Sequence, residues 1–247
     1  TTSFFTIGVL LLILLNIMQV FWIRSVYVVY ESEVTQGLYS PLAFWLVSSI
    51  PMYLVRTVNA TIFTVISYAM LDFPAENEGY CLLQMIFACQ AGLTLTEAVC
   101  FYVDDIRGAY LTIPVISMVL FFFSGLPVKP STLPDWIQAW GPSISVIRWA
   151  AQSLCINEVK DSDAVAKIVT PLFTVDPYEQ YVGMFGWGGK TKWQCFENVL
   201  LNIVVFRGIA LLILWVKPMF KGEQRHLVQQ QKVSPSHTAH ASVRVVN

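Results

Sequence analysis

The stretch that decides the fold is Leu120–Trp140, which reads LFFFSGLPVKPSTLPDWIQAW. An apolar run ends here at Ser-Gly, and three prolines and two tryptophans are spread over the residues that follow. Proline removes a backbone donor and ends a helix, while tryptophan is enriched at the boundary between lipid and water. The stretch therefore predicts a membrane helix that stops at one face of the bilayer, followed by a segment that stays near that face.

The composition places the chain among membrane proteins. Of its 247 residues, 55% are hydrophobic and 13% are charged, and the mean hydropathy is +0.59. Soluble domains carry roughly 25% charged residues, so this chain lacks the ionic surface that a water-soluble fold of its length needs. The formal net charge of −1 also argues against a nucleic-acid partner, which calls for a basic face.

Apolar stretches recur along the chain, each close to the roughly 20 residues that a membrane helix needs. The second is interrupted by Pro51 and Arg56, and we expect Pro51 to be a kink or an entry point. The predicted fold class is all-α: a polytopic membrane helical bundle with five spans, at residues 4–23, 50–71, 80–103, 109–128 and 196–216.

Basic residues near the ends of the spans predict the orientation of the bundle. Five lysines and arginines follow the last span, whereas residues 72–79, DFPAENEG, contain three acids and no base. The basic end is therefore expected in the cytosol, and residues 129–195 on the outside. Residues 221–247 are polar and are predicted to be a disordered cytosolic tail.

Charged residues inside the spans suggest function, because each costs about 2.5–3.5 kcal/mol at the bilayer centre on insertion scales. Counting from the outer loop at about 1.5 Å per residue places Arg56 and Glu97 at the same depth, which predicts an intramembrane ion pair. The alternative is that Arg56 extends to the inner headgroups. Arg207 has no acid at its depth by this count; a backbone carbonyl, a missing helix or a second subunit are the alternatives for its partner.

No motif in the chain predicts catalysis or metal binding. All three histidines follow residue 225, so the apolar body has none for acid–base chemistry. The five cysteines lack the CxxC spacing of zinc and redox sites. Residues 183–191, GMFGWGGKT, resemble a phosphate-binding loop, but Met184 stands where that loop needs glycine.

Cys155 and Cys195 both fall in the segment predicted to lie outside the membrane. Disulfides persist in oxidising compartments, so a bridge between these two residues is one interpretation. The other interpretation is that both residues are thiols and that Cys155 packs on a helix.

Two stretches, in order along the chain, resemble the G-subfamily and pleiotropic-drug-resistance ABC transporters. From Glu31 the sequence runs ESEVTQGLYSPLAFWLVSSIPMYLV. The positions that match the family's acid, its G-x-Y-S sequence and the proline in its next helix are Glu33, Gly37, Tyr39, Ser40 and Pro51. The second stretch is FFSGLPVKPSTLPDWIQAW followed by PSISVIRWAAQSLCINEV. It resembles the family's exit from its fifth helix and a helix that ends in Asn-Glu.

The resemblance implies that residues 1–220 are an ABC-2 type transmembrane domain, in a fragment that runs from the second to the sixth membrane helix. It implies two partners: a nucleotide-binding domain of the same protein, and a second transporter half that is identical or different. ATP and magnesium would belong to the nucleotide-binding domain, and we expect no cofactor in this chain. The plasma membrane is the expected location.

The resemblance also implies roles for particular residues. Glu33, Gly37 and Tyr39 would couple the membrane helices to the nucleotide-binding domain. The segment after the fourth span would dip back into the outer leaflet, and residues 145–157, SVIRWAAQSLCIN, are apolar but too short to cross. The substrate cavity would be lined from the first and fourth spans and the exit that follows, by Phe21, Met118, Phe121 and Leu126.

These roles imply a part of an exporter that moves lipids, sterols or amphipathic compounds by alternating access. A non-transporting receptor or scaffold, whose outer segment binds a partner, is the alternative from a different class. An intramembrane enzyme is disfavoured because the spans contain no histidine and no paired carboxylates.

Overall fold

The computed structural model describes residues 8–10, 13, 15–34, 36–71, 77–160, 183 and 185–233. Every regular element in these residues is helical, which confirms the all-α class. The first half contains a 3-10 turn at Leu15–Gln19 and helices α1 (Val20–Val34), α2 (Pro41–Leu71), α3 (Glu78–Tyr102) and α4 (Ile106–Phe122). The second half contains a 3-10 turn at Pro130–Thr132, the short helices α5 (Asp135–Gln138), α6 (Gly141–Ile144) and α7 (Val146–Cys155), a π-helical turn at Ile156–Lys160, and α8 (Lys192–Val233).

Three of these helices are long and apolar enough to cross a bilayer: Pro41–Met70, Glu78–Tyr102 and Lys192–Lys217 among the described residues. Helix α4 is apolar but has 17 residues and ends at Phe122, short of the predicted 128, because Ser124 and Gly125 turn the chain. The predicted first span, 4–23, lies partly outside the described residues. The chain is thus an integral membrane protein built as a helical bundle.

The second span begins earlier than its sequence predicted. Helix α2 starts at Pro41 rather than at residue 50, and Pro51 lies inside it. Proline favours the first turn of a helix, which suits Pro41. Inside a membrane helix, neighbouring helices and hydroxyl side chains can satisfy the carbonyl that proline leaves without a donor, so Pro51 does not set a helix boundary.

The last helix is also longer than predicted. It continues through Val233, so residues 221–233 of the segment predicted to be disordered are helical in the structure. Leu, Gln, Glu, Lys and Arg make up much of this stretch and are favourable helix formers, and the next proline is Pro235. Residues 234–247 lie outside the described residues.

Helix α3 is the centre of the bundle. Its residues 88–101 are buried without a break, and it packs against α1, α2, α4, α7 and α8. A helix that is covered all round is mostly apolar, and its buried polar side chains Gln90 and Glu97 have hydrogen-bond partners on α2 and α8. Small residues such as Ala88, Ala91 and Ala98 let the neighbouring backbones approach closely. The position of α3 therefore decides where each of the other helices can place its side chains.

We call the end of the bundle that holds residues 36–41 and 102–106 the inner end, and the end that holds residues 123–160 and 185–191 the outer end, following the predicted orientation. At the inner end two cations cover the last carbonyls of α3. Arg24 donates to Cys100 O at 2.9 Å and to Asp104 O, and Lys217 donates to Phe101 O at 2.6 Å. Carbonyls at a helix C-terminus lack partners within the helix and favour cations, so these bonds fasten α1 and α8 to α3.

At the outer end the chain after α4 turns back onto the bundle. The Ser145 hydroxyl donates to Leu120 O at 2.7 Å and also caps α7 by accepting from the Arg148 N–H at 3.2 Å. Helix α7 then packs against α3, α4 and α8, and nine of its ten residues are buried. The segment therefore packs back onto the bundle, and its position in the outer leaflet stays a prediction.

Candidate functional site

The residues that the sequence proposed for coupling meet in one turn at the inner end. The Tyr39 hydroxyl donates to Glu33 Oε2 at 2.5 Å, and the Gln36 N–H donates to the Glu33 carbonyl at 3.1 Å. Gly37, with φ of 73°, reverses the chain and donates its N–H to Val34 O at 3.1 Å. A left-handed residue after a helix is most often glycine because it has no Cβ to clash. The turn therefore depends on all three residues.

The Tyr39–Glu33 bond joins the end of α1 to the start of α2. Partial burial and the hydrogen bond to Glu33 raise the pKa of Tyr39 to about 12, so the phenol stays protonated and keeps donating at physiological pH. A force applied to this turn would consequently reach both helices. The Tyr39–Glu33 bond connects the two helices directly, without other residues having to move.

Replacing Tyr39 by phenylalanine should loosen the turn without unfolding the bundle. A hydrogen bond to a carboxylate contributes about 1.5 kcal/mol or more, so amide hydrogen exchange at residues 36–38 should quicken at least about tenfold. Exchange within α3 should not change. The control is Tyr102→Phe, because Tyr102 is exposed at the end of α3. Equal exchange in the wild type and Tyr39→Phe would show that the hydroxyl does not hold the turn.

Within the bundle, Glu97 is paired with Arg207. Arg207 Nη1 lies 2.6 Å from Glu97 Oε2 and 2.6 Å from Ser49 Oγ, and the Ser49 hydroxyl donates to Trp45 O at 2.7 Å. The guanidinium also lies 4.1 Å from the ring centroid of Trp45 and 5.0 Å from that of Tyr53. Arginine stacks on aromatic rings while donating in its own plane. This polar cluster joins α2, α3 and α8.

The predicted ion pair between Arg56 and Glu97 is therefore wrong, because the cation that pairs with Glu97 is Arg207. The expectation that Arg207 has no acid at its depth is wrong as well. The reason is the register of the α2–α3 hairpin. The Gln90 amide donates to Tyr53 O and to Thr57 Oγ1, both at 3.0 Å, which places Arg56 near the level of Gln90. Glu97 lies about two helical turns further toward the inner end. Counting residues from the loop had placed Arg56 and Glu97 at the same depth, because the count assumed no offset between α2 and α3.

The chain at Ser124 and Gly125 packs against residues 185–187, in the loop before α8. We call this contact the seam. The Trp187 indole N–H donates to Ser124 O at 3.0 Å, and Trp187 packs with Phe185 at a centroid distance of 5.0 Å. Gly125 has φ of 92°, and a Cβ on it would lie 2.5 Å from Phe185 O. Glycine is thus required here by both the backbone conformation and the space.

The same loop resembles a phosphate-binding loop in sequence, but its backbone carbonyls accept hydrogen bonds from α7. The Gln152 amide donates to Gly188 O at 2.7 Å, and Arg148 donates to Gly186 O at 3.4 Å. A phosphate loop instead directs backbone N–H groups at its ligand. The residues present do not fit ATP, and among the described residues no group of three or more His, Cys, Asp or Glu is placed to hold a metal.

The bridge between Cys155 and Cys195 is not formed; both residues are thiols. Cys155 is 1% exposed and lies in a cluster with Ala151, Phe185 and Trp187, while Cys195 is 0% exposed in the main apolar core. Each side chain packs as a small apolar group. Their shared predicted compartment therefore does not imply that they are close enough to bond.

The four residues proposed for the cavity occupy two kinds of environment. Phe21 on α1 and Met118 on α4 are 64% and 45% exposed. Phe121 is partly buried against the main core, and Leu126 packs against the cluster around Trp187. The chain thus presents Phe21 and Met118 on open faces, whereas Phe121 and Leu126 support the packing of α4 and of the outer segment.

A second polar cluster lies at the outer end, where the resemblance had noted Asn157 and Glu158 without assigning a role. Glu158 is 3% exposed and accepts from the Tyr68 hydroxyl and from the Asn157 amide. The side-chain amides of Asn77 and Asn157 each donate to the other residue's backbone carbonyl, at 2.9 and 3.1 Å. Burial raises the pKa of Glu158, and its hydrogen bonds act in the opposite direction. The cluster ties the π-helical turn to α2 and α3.

Sequence reasoning missed the partners of Glu97 although a signal for them was present. Trp45, Ser49 and Tyr53 recur at intervals of four residues, which puts them on one face of a helix. A polar residue between two aromatics on one face of a membrane helix indicates an inward-facing contact rather than a lipid-facing one. The cluster at Tyr68 and Asn157 has no comparable signal, because its members are far apart in sequence.

The comparisons with known proteins agree with this architecture. Residues 2–159, more than half of the chain, match the ABC-2 type transporter family. The chain is also similar to ABC transporter G family member 1 of Dictyostelium discoideum, with 24% identity over 231 residues, covering 90% of this chain and 29% of that protein. The apolar bundle, the turn at Gly37 and the Ser-Gly exit from α4 are thus features of a chain that belongs to the ABC-2 type transporter family and forms the membrane component of an ABC transporter.

Proposed function

We propose that this chain is the membrane-spanning part of an ATP-driven exporter of lipids, sterols or amphipathic compounds. The observation that carries the proposal is an apolar stripe on α4, formed by the exposed side chains Leu111, Val115, Met118 and Phe122. Their spacing of four, three and four residues puts them on one face of the helix. Helix α1 packs beside α4 and exposes Phe21.

A second transporter half that met this surface would enclose a cavity walled by apolar and aromatic side chains. Such walls, with few fixed polar groups, suit hydrophobic ligands of varied shape. Met118 and Phe21 would contact the substrate directly. Phe121 and Leu126 would hold the outer end of α4 in place, since both pack against their own chain.

Coupling would pass through the turn of Glu33, Gly37 and Tyr39. A nucleotide-binding domain of the same protein would press on this turn when it binds ATP and magnesium. The Tyr39–Glu33 bond would carry that movement into α1 and α2 together, and alternating access would follow from the motion of these helices relative to the second half. We propose the plasma membrane as the location of the complete transporter.

The test is transport by the full-length protein in vesicles, with Met118→Ala and Phe21→Ala. We expect each variant to change the ratio of KM values for a bulky and a slender amphipathic substrate several-fold, because each loses roughly one buried side chain's contact worth about 1.5–3 kcal/mol. The control is Val65→Ala, which shortens a similarly exposed apolar side chain on α2. An unchanged preference in both variants would remove this face from the transport path.

A further inference from the structure

A groove of about 530 Å³ lies between α1 and α2 at the inner end. Val26 and Val29 of α1 form one wall, and Ala43, Phe44 and Val47 of α2 form the other. Small-molecule sites are mostly apolar concavities of about 300–1,000 Å³. Val29 and Val47 are 52% and 67% exposed, so the groove is open along its apolar side. Its size and walls fit the hydrocarbon tail of a membrane-dissolved molecule.

One end of this groove is polar and acidic. Glu33 and Tyr39 line it, and its described lining residues include no base. The Tyr39 hydroxyl occupies one acceptor position of Glu33, whereas a carboxylate offers about four. The Glu33 carboxylate therefore retains capacity for a further donor. A positive headgroup would complement its charge, and an anionic headgroup would be repelled.

Aromatic rings stand beside the same carboxylate. The rings of Tyr39 and Phe44 are stacked with centroids 6.4 Å apart, and Tyr30 stacks on Phe44 at 4.2 Å. Ring faces attract ammonium groups, particularly where water is partly excluded. A carboxylate and aromatic faces at one end of an apolar groove together favour a cation that carries a long apolar chain.

We propose that this groove binds a single-chain cationic amphiphile from the leaflet at the inner end. Its ammonium group lies against the Glu33 carboxylate and the rings of Tyr39 and Phe44, and its chain lies along Val29 and Val47. The residues proposed for the transport cavity, Phe21, Met118, Phe121 and Leu126, do not line this groove. Glu33 and Tyr39 also belong to the proposed coupling turn, but binding in the groove is measured without transport, so its outcome is separate from that of the transport test.

The experiment uses the full-length protein in dodecyl maltoside, a neutral detergent, and a dodecylammonium probe with a photoreactive diazirine in its chain. Two comparison probes carry the same chain with a hydroxyl or a sulfate headgroup. We expect the ammonium probe to label α1 near Val29 or α2 near Val47, identified by peptide mass spectrometry. Half-maximal labelling should need about tenfold less ammonium probe than hydroxyl probe, the effect of one charge-assisted contact.

Three variants sharpen the test. Glu33→Gln should weaken labelling by the ammonium probe about tenfold, to the level of the hydroxyl probe. Glu31→Gln is the matched control, since Glu31 lies on the same helix and does not line the groove; its labelling should equal that of the wild type. Ala43→Trp should fill the groove and block the ammonium and hydroxyl probes alike.

The proposal is overturned if the sulfate or hydroxyl probe labels the wild type as well as the ammonium probe does. It is also overturned if Glu31→Gln weakens labelling as much as Glu33→Gln, because the effect would then be general surface charge. Should Glu33→Gln not yield folded protein, the comparison of headgroups on the wild type and the result with Ala43→Trp decide the question by themselves.

Discussion

Replacing Arg207 by alanine is expected to destabilise the bundle by about 3–5 kcal/mol, because the variant leaves Glu97 buried without its cation. Glu97 is 2% exposed, and its carboxylate is paired with Arg207. Arg207 also holds Ser49 and stacks on Trp45, so its loss should separate α8 from α2. The measurement is the free energy of unfolding of the purified protein in mild detergent, titrated with dodecyl sulfate.

Two further variants test whether the effect comes from the pair. Changing both Glu97 and Arg207 to Gln should recover most of the loss, because a buried ion pair contributes little net stability compared with a neutral replacement. A double-mutant cycle between Glu97 and Arg207 should show a large coupling energy, whereas a cycle between Glu97 and Arg56 should be close to additive. Strong coupling to Arg56 together with none to Arg207 would contradict the observed pairing.

Gly125→Ala should open the outer segment. Alanine at φ of 92° carries a backbone penalty of about 1–2 kcal/mol, and its Cβ would lie 2.5 Å from Phe185 O, a contact that forces the loop to move. That movement breaks the bond from Trp187 to Ser124 and uncovers Cys155, which is 1% exposed and packed in the same cluster. We expect a loss of at least about 2 kcal/mol and labelling of Cys155 by a membrane-impermeant maleimide.

The control for Gly125 is Gly189→Ala in the same outer segment. Gly189 has no neighbour within 4 Å of an added Cβ, so this variant should match the wild type in stability and in thiol labelling. A Cys155→Ser background identifies the labelled residue, since all five cysteines are buried in the wild type. Wild-type stability and an unreactive Cys155 in Gly125→Ala would show that the seam does not depend on glycine.

The turn at Gly37 and the break at Ser124-Gly125 could both be predicted from local sequence. Each is set by a glycine within a few residues of a helix end, and φ is positive at both glycines. The chain reversal at these points depends on residues that are neighbours in sequence, so local sequence is enough to predict it. The same holds for Glu33 and Tyr39, which are six residues apart and form one hydrogen bond.

The partner of Glu97 and the state of Cys155 could not be predicted in this way. Arg207 and Glu97 are 110 residues apart in sequence, and Ser49 and Arg207 are 158 apart. Which pair meets depends on the offset between α2 and α3, and an offset of about two helical turns changes the partner. The environments of Cys155 and Cys195 likewise follow from how α7 and α8 pack, not from the side of the membrane that both residues share.

The sequence by itself determined that this protein lies in a membrane, that it is helical, and where its chain turns at Gly37 and after Phe123. Apolar composition and local backbone preferences decide these features, since they act over a few residues at a time. The tertiary structure alone decided that Arg207 neutralises Glu97 and that Trp187 covers Gly125. Both contacts join distant segments, and they exist because α3 is surrounded on every side and imposes one register on the helices packed against it.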